Sequence, residues 1–516
     1  MKRINKYLLP VVVTAISWLG YGCNDFEYIN TNPDATTTST PAMLATGQLW
    51  KALTIGGKGA EPKWYFGDMF FTKQISWQEG SEDSRQRQYN QISTSGFSAY
   101  NDLTNTLKMV ELASDIDKDA YQGLALFLKA FRLYDVSMAL GDIPYSDALK
   151  GEAGVIRPKY DTQKEVMQQI LDDLDESYRL FSSASRSFDG DIIYNGDCSK
   201  WKKAVSALQL RVLMAMSKKT AESDLNVAGR FASIVSGQDL FTSNSDNFML
   251  VYGALSSQHF PLYLSRFNTY AGVSTTIIDV FKATDDYRIF YYCEPAPAAV
   301  EEGIAVDNMA AYKGVDPSRL YTDILTLYNN GEISNVNNRF WELEACQPTI
   351  QMGYAELNFV LAEACLRGWI SGDANNYYHK GIQASMEFAA AYTTPAYRHG
   401  IDIDDAYITS FLSQPSLQLG CTSATFEDDL KDVLTQKYLD LFMHNTYTSY
   451  YDFRRTGYPV LPVNPETNMN TVADKMPMRW RYEQREYDYN RENLEEALLR
   501  QYDGNDDWNE LMWIIK

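Results

Sequence analysis

The feature that most constrains the fold of this chain is the recurrence of apolar residues every three to four positions. In TQKEVMQQILDDLDESYRLF (residues 162–181), Val166, Ile170 and Leu174 recur at four-residue spacing behind Thr162 and Glu165, which have capping-box spacing. The same kind of pattern occurs in three further segments, at residues 199–219, 354–369 and 426–445. This spacing aligns apolar side chains on one face of an α-helix, so the sequence predicts a mostly α-helical protein.

Several of these helices are predicted to form neighbouring pairs, at residues 98–116 with 118–140, 160–183 with 199–219, and 354–369 with 373–392. Antiparallel pairs that bury their faces against one another indicate tetratricopeptide-like stacking. Between about 240 and 350 the sequence changes to loop-rich stretches with short Tyr- and Phe-containing runs. We predict a ligand-facing insertion there, on a helical-pair scaffold formed by about 41–240 and 350–456.

The N-terminus has the layout of a bacterial lipoprotein signal. Three basic residues precede an uncharged, mostly apolar stretch at positions 7–22, which is shorter than the roughly 20 residues of a membrane-spanning helix. Cys23 follows directly, and we predict that residues 1–22 are removed and that Cys23 is lipidated. Residues 23–40 contain many Asn, Thr and Pro residues, so we predict a polar tether that joins the lipid to a domain at 41–516.

The predicted mature chain is strongly acidic. Loss of residues 1–22 removes three of the 46 basic residues and leaves 43 against 67 acidic ones, a formal charge of −24. Nucleic acid binding requires a basic surface, so this composition excludes it. No segment after Cys23 approaches 18 consecutive apolar residues, which predicts that the body of the protein lies outside the bilayer.

Motifs of metal and nucleophile chemistry are absent from the sequence. The four histidines show no HExxH or similar spacing, and neither a GxSxG nor a GxxxxGK[ST] motif occurs. We therefore predict no catalysis, no bound metal and no cofactor. A hydrolase that works through two carboxylates alone stays an alternative, because 67 acidic residues allow many pairs. With Cys23 set aside, five cysteines remain, and their spacing favours free thiols over a disulfide framework.

Aromatic residues are the most promising ligand contacts in this sequence. Tyrosine, phenylalanine and tryptophan rings can stack on the apolar faces of sugars while polar side chains bond the hydroxyl groups at the edge. Rings at helical spacing are expected in the core, so rings in polar loops without periodicity are better candidates. On this basis we predict as ligand-binding residues Trp77, Tyr89 with Arg85, Tyr270 with Arg266, and Trp341.

Eight stretches of the chain follow one another in an order typical of one family. Behind Cys23 come YINTNPDA, RLYDVSMALGDIPYSDAL, DIIYNGDCSKWKKAVSALQLRVLMAMS, YAELNFVLAEA, YYHKGIQASM, QKYLDLF, FRRTGYPVL and MPMRWRYEQREYDYNRENLEEAL. Together they resemble the SusD/RagB family of Bacteroidetes outer-membrane nutrient-binding lipoproteins, in particular its second, SusD-like branch. Tyr482 followed by Glu483 departs from the usual Tyr-Pro of the family.

This resemblance implies a SusD-like helical fold that acts as a lid on a SusC-like TonB-dependent outer-membrane transporter. It implies a lipid-anchored position facing the cell exterior and the capture of a nutrient, usually an oligosaccharide, for import. Binding residues of this family lie in variable loops and do not transfer by motif. A peptide- or protein-binding member of the same architecture is the main alternative, because stacked helix pairs also offer grooves for peptides.

Some of the residues in these stretches also have a purely structural interpretation. We expect Asp142, Pro144 and Tyr145 to form a turn after a helix. We expect Arg454 and Arg455 to pair with buried acids or to stack on neighbouring rings.

Overall fold

A computed structural model describes residues 39–54, 65–79, 82–265, 269–420 and 425–516, without the side chains of residues 82–84. The predicted signal peptide, Cys23 and nearly all of the predicted tether lie outside these residues. The α-helices are α1 (Pro41–Leu53), α2 (Gly67–Phe71), α3 (Glu82–Gln88), α4 (Ser98–Leu112), α5 (Lys118–Leu140), α6 (Gln163–Ser183), α7 (Cys198–Ala215), α8 (Val227–Gly237), α9 (Thr275–Ala283), α10 (Arg288–Tyr292), α11 (Pro297–Glu301), α12 (Tyr321–Asn329), α13 (Arg339–Glu342), α14 (Tyr354–Leu366), α15 (Ala374–Tyr392), α16 (Asp405–Leu412), α17 (Phe426–Asp440), α18 (Tyr447–Thr456), α19 (Gln484–Tyr489) and α20 (Arg491–Tyr502).

Short strands connect distant parts of the helical framework. They are β1 (Ile75–Trp77), β2 (Thr94–Ser95), β3 (Phe248–Leu250), β4 (Ala271–Val273), β5 (Thr349–Met352) and β6 (Arg481–Tyr482). β1 pairs antiparallel with β4, β3 pairs antiparallel with β5, and β2 pairs parallel with β6. Each ladder is at most a few residues long, so the strands join segments of the chain without forming a sheet layer.

The predicted helix pairs are confirmed. α4 packs on α5, α5 on α6, α6 on α7, and α14 on α15, which gives the antiparallel stacking expected from the sequence. The Thr162 side chain accepts from the Glu165 N–H, and the Glu165 carboxylate accepts from the Thr162 N–H, so the predicted capping box begins α6. The protein is mostly α-helical, as the apolar periodicity predicted.

Glycine allows the helices of two pairs to approach closely. A Cβ atom at Gly381 in α15 would lie 2.7 Å from the ring of Phe359 in α14, and one at Gly123 in α5 would lie 3.3 Å from the ring of Phe181 in α6. The missing side chain therefore makes room for an aromatic ring between the helices of each pair.

One continuous hydrophobic core includes both the helix pairs and the segment between 240 and 350. Phe248 of β3 packs edge-on against Phe127 of α5 at 5.3 Å and against Trp201 of α7 at 5.8 Å. This segment carries α9 to α13 and three of the six strands, with loops between them. The division of the chain into scaffold and insertion stays a prediction.

Buried arginines join helices that are far apart in sequence. Arg455 of α18 donates to both carboxylate oxygens of Glu363 in α14 and to Asp452, 2.8 Å away. Arg454 lies 4.7 Å from the ring centre of Tyr450 and 4.8 Å from that of Tyr451. Both arginines therefore contribute to packing, as expected from the sequence.

The turn after α5 has the expected position and a buried carboxylate. Asp142 accepts from the backbone N–H of Gln163 at 2.8 Å and from the Arg500 guanidinium at 2.6 Å. Tyr145 is buried, and its hydroxyl donates to Asp173 at 2.7 Å. The turn thus connects α5, α6 and α20.

Four cysteines lie in the part of the chain that the structure describes. Cys198, Cys293, Cys346 and Cys365 are free thiols, and Cys421 lies outside the described residues. In the same part of the chain, no helix combines the length and the hydrophobicity that a bilayer span requires.

Candidate functional site

The structure brings together five of the six residues that the sequence predicted as ligand contacts. Trp77 lies 6.0 Å from Tyr270 between ring centres, and both Trp77 and Trp341 pack on Phe66, at 6.1 and 5.7 Å. Arg85 and Tyr89 lie on and directly after α3, which packs on β1. Arg266 lies outside the described residues.

Trp77 and Trp341 do not lie in loops, and this part of the expectation is wrong. Trp77 belongs to β1 and is 0% exposed, and Trp341 belongs to α13 and is 3% exposed. Polar neighbours in the sequence suggested loops, but pairing with β4 and packing on Phe66 bury both indoles. A ring without an open face cannot stack on a ligand, so any part they play in binding is the support of rings above them.

Three half-buried tyrosines, Tyr270, Tyr321 and Tyr328, form the outer layer of this region. Together with Arg85 they are called the tyrosine surface below. The rings of Tyr270 and Tyr328 are 6.1 Å apart and inclined at 45°. The Arg85 guanidinium carbon lies 5.1 Å from the centre of the Tyr321 ring. Tyr321 and Tyr328 are seven residues apart in α12, which places them two turns apart on one helix face.

Buried polar contacts fix the position of α3 beneath the tyrosine surface. Gln88 accepts from the Trp77 N–H at 2.8 Å and donates to the Pro317 carbonyl at 2.9 Å. The Lys73 ammonium donates to the carbonyl of Gln88 and to Asn90, and burial lowers the pKa of Lys73 to about 7. A lysine that is only partly protonated near pH 7 therefore holds the C-terminal end of this short helix.

Tyr89 takes part in the same framework. Its hydroxyl donates to the Arg319 carbonyl at 2.8 Å, just before α12 begins. Burial raises the pKa of Tyr89 to about 12, so the hydroxyl stays protonated and able to donate. Tyr89 thus positions α12 beside α3 rather than presenting an open ring.

Gln78 is a polar residue of this region that sequence reasoning missed. Its carbonyl accepts from the Tyr321 hydroxyl at 3.0 Å, and its backbone N–H donates to the Tyr270 carbonyl at 3.0 Å. The residue is 1% exposed, and neither atom of its side-chain amide has a hydrogen-bond partner among the described residues. An amide without partners is costly, so its place next to the tyrosines is a reason to look for a ligand or water there.

Tyr321 and Tyr328 were also missed. Aromatic rings at helical spacing were expected in the core. In α12, however, only Ile324 is fully buried, and both tyrosines are half-exposed. The signal that could have found them is the stretch LYTDILTLYNN, in which polar residues surround two tyrosines on one face. Within the described residues, no group of His, Cys, Asp and Glu side chains could hold a metal ion.

The fold is that of solved SusD homologs. The chain is 47% identical to a SusD homolog from Bacteroides fragilis, with a TM-score of 0.88 and coverage of 93% of this chain and 100% of that chain. A second SusD homolog from Bacteroides fragilis is 32% identical, with a TM-score of 0.82 and coverage of 93% and 100%. A chitin-binding protein shares the fold at 22% identity, with a TM-score of 0.71 and coverage of 92% and 100%.

A family model agrees with this class of structure. The SusD-like model described as "Starch-binding associating with outer membrane" matches residues 63–483. The chain therefore belongs to this SusD-like family, as the eight sequence stretches indicated. No protein in a curated set that was compared with this chain matches it.

Proposed function

We propose that this protein is a cell-surface lipoprotein that captures oligosaccharides at the tyrosine surface. The observation that carries the proposal is the convergence of Tyr270, Tyr321 and Tyr328 with Arg85 over a buried aromatic base, in a member of a family described as starch-binding. Half-buried rings offer apolar faces at low entropic cost, because buried neighbours already hold them in place.

The geometry suits a chain of sugar rings better than a flat aromatic ligand. Tyr270 and Tyr328 are inclined at 45° to each other, so two neighbouring sugar rings of a bent chain can each meet one tyrosine. Arg85 places a guanidinium group beside the ring of Tyr321, at the edge of the surface where the hydroxyl groups of a stacked sugar would lie. Stacking with hydrogen bonds at the edge is the binding mode that these groups support.

Delivery to a transporter completes the proposal. We infer that lipidated Cys23 anchors the protein on the outward face of the outer membrane, where it covers a SusC-like TonB-dependent transporter and passes the oligosaccharide to it. The family's outer-membrane association and the order of the eight sequence stretches support this step. Catalysis forms no part of the proposal.

Isothermal titration of residues 24–516 with malto-oligosaccharides and chito-oligosaccharides tests the binding step. Tyr321→Ala and Tyr270→Ala should each weaken binding about three- to tenfold, because one stacking contact is worth about 0.5–1.5 kcal/mol. Tyr489→Ala is the matched control, since this tyrosine is 70% exposed and lies on α19, outside the tyrosine surface.

Two results would contradict the proposal. Equal affinity of wild type and both surface variants would place the sugar elsewhere. Binding of basic peptides in place of oligosaccharides would favour the peptide-binding alternative, for which the formal charge of −21 of the full sequence gives an electrostatic reason.

A further inference from the structure

Lys73 is a buried lysine that contacts α3 without an ion-pair partner. It follows α2, is 1% exposed and forms no salt bridge with any described residue. Its backbone has a φ of 63°, an uncommon conformation for a residue with a long side chain. Strained backbone of this kind persists only where the surrounding structure enforces it. The neighbouring contacts therefore keep this amine under α3.

The acceptors around the amine belong to the end of α3. They are the carbonyl of Gln88, the last residue of the helix, and the side-chain oxygen of Asn90, at 2.5 Å. The last carbonyls of a helix have no partner within the helix, and Lys73 supplies one. Two acceptors match the two N–H groups of a neutral amine, whereas the third N–H of an ammonium has no partner among the described residues. The docked position of α3 therefore favours the neutral amine.

Burial and one carboxylate set the charge of Lys73. Burial lowers the pKa of Lys73 to about 7, and the negative charge of Asp316 opposes this effect. Neutral groups face the same turn from α9 and α17, where the Thr276 hydroxyl donates to the Lys73 carbonyl and the Tyr438 hydroxyl donates to the Thr72 carbonyl. The elements packed here also carry the charged residues Asp68, Arg85, Arg87, Asp279, Lys282, Lys437 and Asp440. Among charged side chains, it is Asp316 to which the pKa of Lys73 responds.

The position of α3 determines the position of the tyrosine surface. Arg85, within this helix, lies 5.1 Å from the ring centre of Tyr321, and Tyr89, directly after it, donates to the Arg319 carbonyl at 2.8 Å. A helix of seven residues is not stable by itself, so tertiary contacts such as those of Lys73 must keep it in place. A change at Lys73 therefore reaches Arg85 and α12.

We infer that Lys73 is a positioning residue that makes the docking of α3, and with it the affinity of the tyrosine surface, depend on pH. When the amine is neutral, both of its N–H groups are paired and α3 stays docked. When the amine is protonated, a charge without a counterion is buried, which favours an arrangement in which α3 moves away and water reaches the ammonium. The statement about affinity rests on the oligosaccharide proposal, whereas the statement about α3 does not.

The direction of the pH effect follows from the two positions of the helix. With α3 docked the pKa of Lys73 is about 7, and with α3 released it returns to the ordinary value of 10.5. The docked form therefore binds fewer protons, so docking becomes more favourable as the pH rises above 7 and less favourable as the pH falls. Between pH 6 and pH 8 the equilibrium constant for docking should increase about tenfold.

Hydrogen–deuterium exchange of ligand-free residues 24–516 tests the docking of α3. The amides of residues 85–91, corrected for the chemical exchange rate, should be protected about tenfold more strongly at pH 8 than at pH 6. Lys73→Met removes the titrating amine, so the protection of these amides should then be equal at the two pH values.

Isothermal titration with malto-oligosaccharides and chito-oligosaccharides at pH 6, 7 and 8 tests the effect on affinity. Binding to wild type should be up to about tenfold tighter at pH 8 than at pH 6, because the ligand contacts the docked form. Titrations in two buffers of different ionisation enthalpy should show release of up to about one proton at pH 8 and about none at pH 6. Lys73→Met should bind with the same affinity at each pH.

Asp316→Asn separates titration of Lys73 from a purely structural role. An asparagine oxygen can still accept from the backbone N–H and the hydroxyl of Ser318, as Asp316 does at 2.8 Å. Loss of the negative charge lowers the pKa of Lys73, so the rise in protection and in affinity should begin at a lower pH than in wild type. A lysine that served only packing would not shift this profile.

Lys219 provides the matched control. It is also a buried lysine whose pKa is lowered by burial, but it lies after α7 and donates to the Lys516 carbonyl at 3.4 Å. Lys219→Met should leave both pH profiles as they are in wild type. Circular dichroism melts show whether each variant is folded.

Three outcomes would overturn the inference. They are equal protection of α3 at pH 6 and pH 8 in wild type, a pH profile that Lys73→Met and Asp316→Asn leave unchanged, and an affinity that stays constant while the protection of α3 changes. If α3 responds to pH but no oligosaccharide binds, the proposed function fails and the role of Lys73 in docking α3 stands, so the two failures give different results.

Discussion

Buried charges in this protein differ in whether the fold itself neutralises them. Arg455 meets two carboxylates, and the proximity of Glu363 and Asp452 raises its pKa further above the usual range. Asp135 has no such partner, and burial raises its pKa from 3.8 to about 6 despite Arg211 and Arg132 nearby. At the scale of single residues, the carboxylates around Arg455 compensate its burial, whereas Asp135 costs stability when it is charged.

Asp135→Asn should therefore stabilise the protein at neutral pH. The folded state keeps the Asp135 proton between pH 4 and 6, where the unfolded state has lost it, so folding stability falls as the pH rises through this window. We expect a gain of about 1–3 kcal/mol at pH 7.5 that disappears below pH 4. The charged or titratable groups around Asp135 are Arg132, Arg211, Asp68, Tyr134 and Tyr451.

Urea unfolding of both proteins across pH 4 to 8 measures this effect. Asp117 provides the opposite case, because hydrogen bonds from Arg186 lower its pKa. Asp117→Asn should lose stability at pH 7.5, and because the folded pKa lies below the ordinary value, this loss should persist down to about pH 4 and fade only at lower pH. A destabilised Asp135→Asn at pH 7.5 would show that the fold does use this carboxylate.

At the scale of elements, the helix pairs depend on close contact at glycine. Gly381→Ala should destabilise the protein by about 0.5–2 kcal/mol, because the clash with Phe359 outweighs the better helix propensity of alanine. Gly237 of α8 has no atom within 4 Å of an added Cβ. Gly237→Ala should be neutral or stabilising by up to about 1 kcal/mol. Thermal unfolding measures the change in stability of each variant, and equal changes for Gly381→Ala and Gly237→Ala would contradict the role of Gly381.

The elements that the sequence predicted well are those with a local signal. The capping box at Thr162 and the apolar spacing of Val166, Ile170 and Leu174 lie within one helix, so α6 could be read directly. β1 could not be predicted, because three residues are too few to show a period. The strand that buries Trp77, β4, also lies almost 200 residues later in the chain. The tyrosine surface was hard to predict for the same reason, since Arg85, Tyr270 and the two tyrosines of α12 come from segments far apart in the sequence.

At the scale of the whole molecule, the proposed lipid anchor can be tested without any ligand. Cys23→Ala should move the protein from the membrane fraction to the soluble fraction and should abolish labelling with radioactive palmitate. The physical reason is that each buried methylene contributes about 0.8 kcal/mol to membrane attachment. Cys198→Ala, at the start of α7, is the control and should leave both readouts unchanged. Labelling that survives Cys23→Ala would show that the lipid is attached to another residue and would contradict the proposed anchor.

The contacts at the end of α3 have a consequence for the tyrosine surface. Arg85 lies in this seven-residue helix, and Gln88 at its end accepts from the Trp77 N–H and donates to the Pro317 carbonyl. A sugar that holds Arg85 in place therefore also favours these buried contacts, so we expect ligand binding and the stability of this part of the fold to be thermodynamically linked.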